Sequence, residues 1–169
     1  MVIRSELPQD IPGISKLLNQ AFGQKSEGIL VNELRNTPEF IKDLSIVLEI
    51  DHTIIGYLLL YPVNIEHGNG VSRTLALAPM AVSPNLQNQG YGSKLIRHAI
   101  AIATEKGWPS VIVLGHPEYY PRFGFEPASK WKVYSDFEVP DEVFMGMELT
   151  PGALAQGGKV IYTAPYLNC

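Results

Sequence analysis

The chain has 169 residues, of which 46% are hydrophobic and 18% charged, a composition typical of a globular domain and not of a disordered chain. The formal net charge of −4 argues against a general nucleic-acid-binding protein. A single cysteine excludes an internal disulfide framework and favours the cytoplasm, and no apolar run reaches the length of a membrane span.

The first half of the chain predicts a strand, two helices and a hairpin. Apolar residues recur at helical spacing between Asp10, a candidate N-cap, and Gly23, a candidate helix end. In chain order, the predicted elements are a strand at 2–4, a helix at about 11–22, a second helix at 29–34, and paired strands at 44–50 and 53–63.

The second half predicts a strand, a long helix and a further strand, followed by weaker patterns. These elements cover residues 71–82, 93–106 and 110–114, with weaker strands at 131–134, 143–148 and 159–162. The first three predict a right-handed parallel crossover, which makes the fold class mixed α/β. No linker composition interrupts the chain, so we predict a single domain over residues 1–169.

A glycine-containing turn separates the strand at 71–82 from the long helix. It contains Asn88, Gly90 and Gly92, and we expect both glycines to admit a ligand and to adopt positive φ. The N–H groups at the start of the helix, together with its dipole, favour an anion such as phosphate. The alternative is a turn whose glycines serve packing alone.

Pro79 lies inside the strand pattern "ALAPMAV" and removes one hydrogen-bond donor. We therefore expect the strand to bulge or splay there, which would expose backbone groups at Met80 and Val82 to an extended ligand with amide groups. A dinucleotide fold is disfavoured because Leu95 stands where its third glycine would be, and no Walker phosphate loop occurs.

The turn carries a recognisable signature. Gln87, Gly90 and Gly92 fit the pattern Q/R-x-x-G-x-G/A, which resembles the coenzyme A signature of the GNAT superfamily of N-acyltransferases. The segment "LGHPEYYPRFGF", residues 114–125, is similar to the YhbS-like branch of that superfamily. Many members have glycine where Asn88 stands, and asparagine tolerates the same backbone conformation.

The resemblance covers residues 2–148 and leaves 149–169 unmatched. It implies a mostly antiparallel central sheet that splays between its fourth and fifth strands and is flanked by helices. It also implies acetyl-CoA as cosubstrate and no metal. The acetyl thioester would lie between the strand at 71–82 and the strand at 110–114. The residues implied in cofactor binding are Met80, Ala81, Val82, Gln87, Asn88, Gln89, Gly90, Tyr91, Gly92 and Ser93.

The family often places a catalytic tyrosine four residues before a Gly-Phe pair. This spacing implies Tyr120 as the acid that protonates the departing thiolate, with Tyr119 as the alternative. Arg122 would meet a cofactor phosphate or stay a surface residue. The general base is left open between a water relay and five side chains, namely Glu27, Glu33, His67, His116 and Glu118.

The implied function is transfer of an acetyl group from acetyl-CoA to a primary amine by direct attack. The acceptor would be a small molecule or a peptide, bound near residues 22–27 and 126–148, and the protein would be a monomer or homodimer. No nucleic-acid or membrane partner is expected. The alternative is an acyl-CoA-binding regulator without catalytic activity.

Overall fold

The structure is a computed structural model that describes residues 1–169 and contains two compact units. The first unit comprises Met1–Tyr61, Ala78–Ala103 and Ala164–Cys169, and the second comprises Pro62–Leu77 and Thr104–Thr163. Two long strands, Thr53–His67 and Gly70–Val82, contribute residues to both units. The single-domain interpretation stays a prediction.

The first unit holds the N-terminal strands and the helices. Its elements are β1 (Val2–Ser5), α1 (Ile11–Phe22), α2 (Ser26–Arg35), β2 (Ser45–Ile50), the start of β3 (Thr53–His67), the end of β4 (Gly70–Val82), most of α3 (Tyr91–Glu105) and α4 (Ala164–Leu167). β2 pairs antiparallel with β1 and with β3. Asp51 and His52 join β2 to β3 with φ of 48° and 60°, as a tight hairpin turn requires.

Asp10 is the N-cap residue of α1, as predicted, but its side chain makes no capping hydrogen bond to that helix. Its carboxylate accepts the Leu7 N–H at 2.7 Å and two hydrogen bonds from Arg4, at 2.6 and 3.1 Å. The bond from Arg4 holds the pKa of Asp10 below its ordinary value. Asp10 therefore fixes the chain between β1 and α1, because its carboxylate bonds to an arginine on β1 and to the Leu7 N–H instead of to the first turn of α1.

The helix α3 packs closely on β3 through a glycine. Its buried stripe is Leu95, Ile96, Ala99 and Ala103, as the helical spacing predicts. A Cβ on Gly56 would lie 2.9 Å from Leu95 Cδ1 and 3.1 Å from Leu48 Cβ. Because both distances are shorter than an ordinary contact, a side chain at position 56 would push against Leu95 and Leu48, and glycine there favours the close approach of helix and strand.

The second unit holds the remaining strands. They are β5 (Ser110–Leu114), β6 (Glu126–Pro127), β7 (Val133–Tyr134), β8 (Phe144–Glu148) and β9 (Gly158–Ile161). β5 runs parallel to β4 over two residue pairs, Leu75 with Val111 and Ala76 with Ile112. On its other edge β5 pairs antiparallel with β8 over all five residues.

Neighbouring strands follow the order β1-β2-β3-β4-β5-β8-β6, while β9 pairs with β3 and β7 pairs with β9. The predicted α/β fold, a mixed and mostly antiparallel sheet with a parallel β4–β5 pair and flanking helices, is confirmed. The predicted strand at 131–134 shrinks to two residues because Ala128–Trp131 forms a 3-10 turn. None of the four helices has the length and apolar character needed to cross a membrane.

Candidate active site

The glycine turn lies exposed between β4 and α3. Asn88 and Gly90 both adopt the left-handed conformation, with φ of 63° and 86°. A Cβ on Gly90 would meet no atom within 4 Å, so the space beside its backbone is open. Gly92 is the second residue of α3, and the prediction of positive φ there is wrong because its backbone is helical.

The turn ends at the N-terminus of a long helix. α3 has 15 residues, and the Lys94 N–H in its first turn donates to the carbonyl of Gly90, the residue before the helix, at 3.1 Å. The N–H groups of a first helical turn have no carbonyl partner within the helix, and the helix dipole adds partial positive charge there. Left-handed residues beside such a terminus turn successive N–H groups toward one point, which creates a backbone site for an anion.

The strand before the turn keeps only part of its ladder. The β4–β5 pairing ends at Ala76, three residues before the buried Pro79. Beyond Pro79, Met80 and Val82 are half-buried and Ala81 is 6% exposed. Ala81 can therefore offer a ligand its backbone but little of its side chain.

Two hydrogen bonds fix the end of β4 in its own unit. Ser83 N–H donates to the Ile55 carbonyl at 2.8 Å, and Gln87 Nε2 donates to the Val82 carbonyl at 3.2 Å. Gln87 was predicted to bind cofactor, but here its amide joins the glycine turn to the strand. Its direct contact with a ligand stays a prediction.

The helix α4 supplies a further contact to β4. The Tyr166 hydroxyl donates to the Ala78 carbonyl at 2.9 Å, and its ring packs edge-on against Tyr61 with centroids 5.8 Å apart. The Tyr61 hydroxyl lies 2.7 Å from Thr37 Oγ1, which donates to the Leu34 carbonyl. Sequence reasoning missed Tyr166 because no motif marks residues 149–169.

Replacing Tyr166 with phenylalanine keeps the ring against Tyr61 and removes the hydroxyl. Because a typical hydrogen bond contributes about 1 kcal/mol, amides at Met80–Val82 should exchange with solvent up to about fivefold faster. Hydrogen exchange measured by mass spectrometry tests this, with Tyr134→Phe, at a tyrosine 57% exposed, as the matched control. Unchanged exchange in Tyr166→Phe would show that the strand does not depend on this contact.

In the second unit, Tyr120 begins a 3-10 turn, Tyr120–Phe123, and is 7% exposed. Its ring packs edge-on against Tyr119 and Phe125, with centroids 5.3 and 5.6 Å away. Burial, helped by the nearby Tyr119 hydroxyl, raises the pKa of Tyr120 to about 12. The phenol is therefore neutral at pH 7, and it can donate a proton but not take one.

The alternative tyrosine, Tyr119, is half-buried and belongs to a surface cluster. Its ring packs edge-on against Phe123 at 5.2 Å, and the Arg122 guanidinium carbon lies 5.6 Å from its centroid. Arg122 is exposed, and this cation–π contact accounts for it as a surface residue. A role for Arg122 in binding phosphate stays a prediction.

Three of the five candidate bases lie at the end of β3 or in the loop after β5. His67 is committed to the turn between β3 and β4, since its Nε2 lies 2.9 Å from Ser72 Oγ and its Nδ1 accepts the Asn69 N–H at 3.2 Å. His116 and Glu118 are exposed. His116 contributes its carbonyl, which accepts the Tyr120 N–H at 3.3 Å.

The other two candidate bases lie on α2. Glu27 accepts a hydrogen bond from Gln24 Nε2 on Oε1 at 2.8 Å, while its Oε2 is buried without a hydrogen-bond partner. Burial, and then the charges of Glu27 and Glu33, raise the pKa of the Cys169 thiol. Among the five candidate bases, only Glu27 has a buried carboxylate oxygen without a hydrogen-bond partner.

No group of three or more His, Cys, Asp or Glu side chains is placed to hold a metal ion.

The chain is similar to known acetyltransferases. The family model described as "Acetyltransferase (GNAT) domain" matches residues 2–128. The uncharacterized N-acetyltransferase YhbS of Escherichia coli K12 is 31% identical over 154 residues, which cover 91% of this chain and 90% of that protein.

Two solved structures are similar over almost the whole chain. The crystal structure of Escherichia coli YhbS in complex with CoA aligns with a TM-score of 0.90 and 31% identity, covering 98% of this chain and 91% of that one. A GNAT family acetyltransferase from Brucella melitensis in complex with acetyl-CoA aligns with a TM-score of 0.80 and 30% identity, covering 98% and 97%.

Proposed function

The chain belongs to the GNAT family of acetyltransferases, and from this premise we propose that it transfers an acetyl group from acetyl-CoA to a primary amine by direct attack. The acceptor is a small molecule or a peptide amine. The observation that carries the proposal is the exposed turn with left-handed Asn88 and Gly90 at the N-terminus of α3, directly after β4.

The turn would hold the pyrophosphate of the cosubstrate. The N–H groups from Asn88 to Ser93 supply hydrogen bonds, and the dipole of α3 favours the negative charge. The open space beside Gly90 supports this role, because a phosphate oxygen must approach the backbone more closely than a Cβ would allow.

The pantetheine arm would lie along the end of β4. The short β4–β5 ladder and Pro79 support this role, since a strand that has lost its neighbour can pair with the amides of an extended ligand instead. Met80 and Val82 would pair with the arm through their backbone. An N–H in this segment would polarise the thioester carbonyl.

The chemistry forms one bond and breaks one. The lone pair of the neutral amine attacks the thioester carbonyl carbon, a C–N bond forms, and the C–S bond breaks with its electrons going to sulfur. Tyr120 donates its phenolic proton to the thiolate and regains a proton from solvent. The amine nitrogen, positively charged after attack, releases its extra proton to water.

Tyr120 carries the proton that this role requires. Burial raises its pKa to about 12, so the phenol is protonated at pH 7 at the start of each turnover, and the same shift makes it a weaker acid than an unperturbed tyrosine. Glu27 is the side chain that would replace water as proton acceptor, because its Oε2 has no partner.

Release of free coenzyme A thiol tests the proposal across a panel of polyamines, amino sugars, aminoacyl compounds and peptide N-termini. We expect release that requires both acetyl-CoA and a primary amine, and none with the matched N-acetylated compounds. Cys169 is an exposed free thiol, so the baseline signal of the protein alone is subtracted. Tight binding of acetyl-CoA without turnover on any amine would support the non-catalytic regulator instead.

A further inference from the structure

Gly115, the residue that follows β5, lies where there is no room for a side chain. Its φ lies outside the left-handed region, so its backbone conformation would accept any residue. Its N–H donates to the Val143 carbonyl at 2.9 Å, which fixes its position beside the residue that precedes β8.

The space is occupied by the ring of Tyr120. A Cβ built on Gly115 would lie 2.3 Å from Cε2, 2.8 Å from Cδ2 and 3.2 Å from Cζ of Tyr120. The shortest of these distances is about 1 Å below normal contact between carbon atoms. The Cδ2–Cε2 edge of the ring, next to the carbon that carries the hydroxyl, therefore rests where a side chain at position 115 would begin.

The ring has little freedom to move away from Gly115. Phe125, which is 1% exposed, packs edge-on against it at 5.6 Å, and Tyr119 packs edge-on at 5.3 Å. The Tyr120 N–H is also held by the His116 carbonyl. A methyl group at position 115 would therefore displace the hydroxyl or strain the aromatic cluster of Tyr119, Tyr120 and Phe125.

We propose that Gly115 is a positioning residue that sets the location of the Tyr120 hydroxyl for proton transfer. The inference rests on the proposed role of Tyr120 as the acid. It adds that the first residue after β5 acts on turnover without touching either substrate. A displacement of about 1 Å at a reacting group can cost about a hundredfold in rate.

The test is a double-mutant cycle of Gly115→Ala and Tyr120→Phe. We expect Gly115→Ala to lower kcat by about tenfold to a hundredfold with the KM for acetyl-CoA nearly unchanged. In the Tyr120→Phe background the same alanine should change kcat by less than about twofold, because no hydroxyl is left to misplace. Gly68→Ala is the matched control, since position 68 has open space and no left-handed φ.

Each contrary outcome points to a different failure. If Gly115→Ala keeps full turnover while Tyr120→Phe is slow, the positioning role of Gly115 is overturned and the role of Tyr120 as the acid stands. An equal loss in both backgrounds also overturns it, since the effect would not pass through the hydroxyl. Full turnover in Tyr120→Phe overturns the acid itself, and the positioning role with it.

A second variant separates positioning from packing if Gly115→Ala folds poorly. Phe125→Leu shortens a side chain that packs edge-on against the Tyr120 ring and gives the ring room to shift, so Gly115→Ala with Phe125→Leu should regain thermal stability. We expect kcat of this pair to stay at least about tenfold below that of Phe125→Leu alone, because the hydroxyl remains displaced. Equal kcat in the two would assign the whole effect to packing and overturn the proposal.

Discussion

Replacing Tyr120 with phenylalanine should lower kcat by about 10²–10⁴-fold, the usual contribution of a general acid. The ring keeps its contacts with Tyr119 and Phe125, and only the proton is lost. Because the proton is needed in the transition state and not for binding, the affinity for acetyl-CoA should stay nearly unchanged. Steady-state kinetics with an acceptor found in the amine panel, together with calorimetry for acetyl-CoA, measure the two quantities.

Tyr119→Phe is the matched control for this experiment. It removes a hydroxyl from the neighbouring ring, which is half-buried beside Phe123, and should leave kcat within about threefold of the wild type if Tyr120 is the acid. Loss in Tyr119→Phe with full turnover in Tyr120→Phe would transfer the role to Tyr119. Full turnover in both would show that water protonates the thiolate.

Replacing Gly90 with valine should weaken acetyl-CoA binding at least tenfold, which corresponds to about 1.4 kcal/mol. The valine Cβ would meet no protein atom, so the loss arises from the ligand space that it occupies and from its φ of 86°. A β-branched residue disfavours that φ strongly, and the turn should also shift away from the conformation that directs N–H groups outward. Isothermal calorimetry measures the affinity.

Gly107→Val controls for the backbone strain. Gly107 has a φ of 81°, and a Cβ there would also meet nothing within 4 Å, but it follows the other end of α3. We expect the two variants to lose similar thermal stability and only Gly90→Val to lose affinity. A folded Gly90→Val protein with wild-type affinity would exclude the turn as the pyrophosphate site.

The elements predicted best are those whose signal is local. The continuous apolar run of β5 predicted both ends of that strand correctly. The hairpin of β2 and β3 was predicted from two β-rich runs separated by a short turn. The two-residue strands β6 and β7 and the short helix α4 were missed or misplaced. Such short elements have too few residues for a periodic pattern, and their partners in the fold determine them.

The residues of the candidate site likewise fall into those that local sequence predicts and those that it does not. Left-handed backbone at Asn88 and Gly90 was predictable, because few residue types tolerate it and both occur in the turn. Gly92 was assigned the same conformation wrongly, since the sequence does not show on which residue α3 begins. Neither Gly115 nor Tyr166 is marked by local composition. The contact of Gly115 depends on how the Tyr120 ring folds back onto it, and that of Tyr166 is with Ala78, which is distant in sequence.

The bond from Tyr166 to the Ala78 carbonyl would couple the docking of α4 to cofactor affinity, if the cosubstrate binds the end of β4 as proposed. If the cosubstrate pairs with the strand segment after Ala78, occupation of that segment and docking of α4 favour each other, and by reciprocity each stabilises the other to the same extent. A partner protein or modification that pulls α4 away would then lower affinity for acetyl-CoA without touching the cofactor. The last helix would in this way let the acetyl donor and an outside partner influence one another.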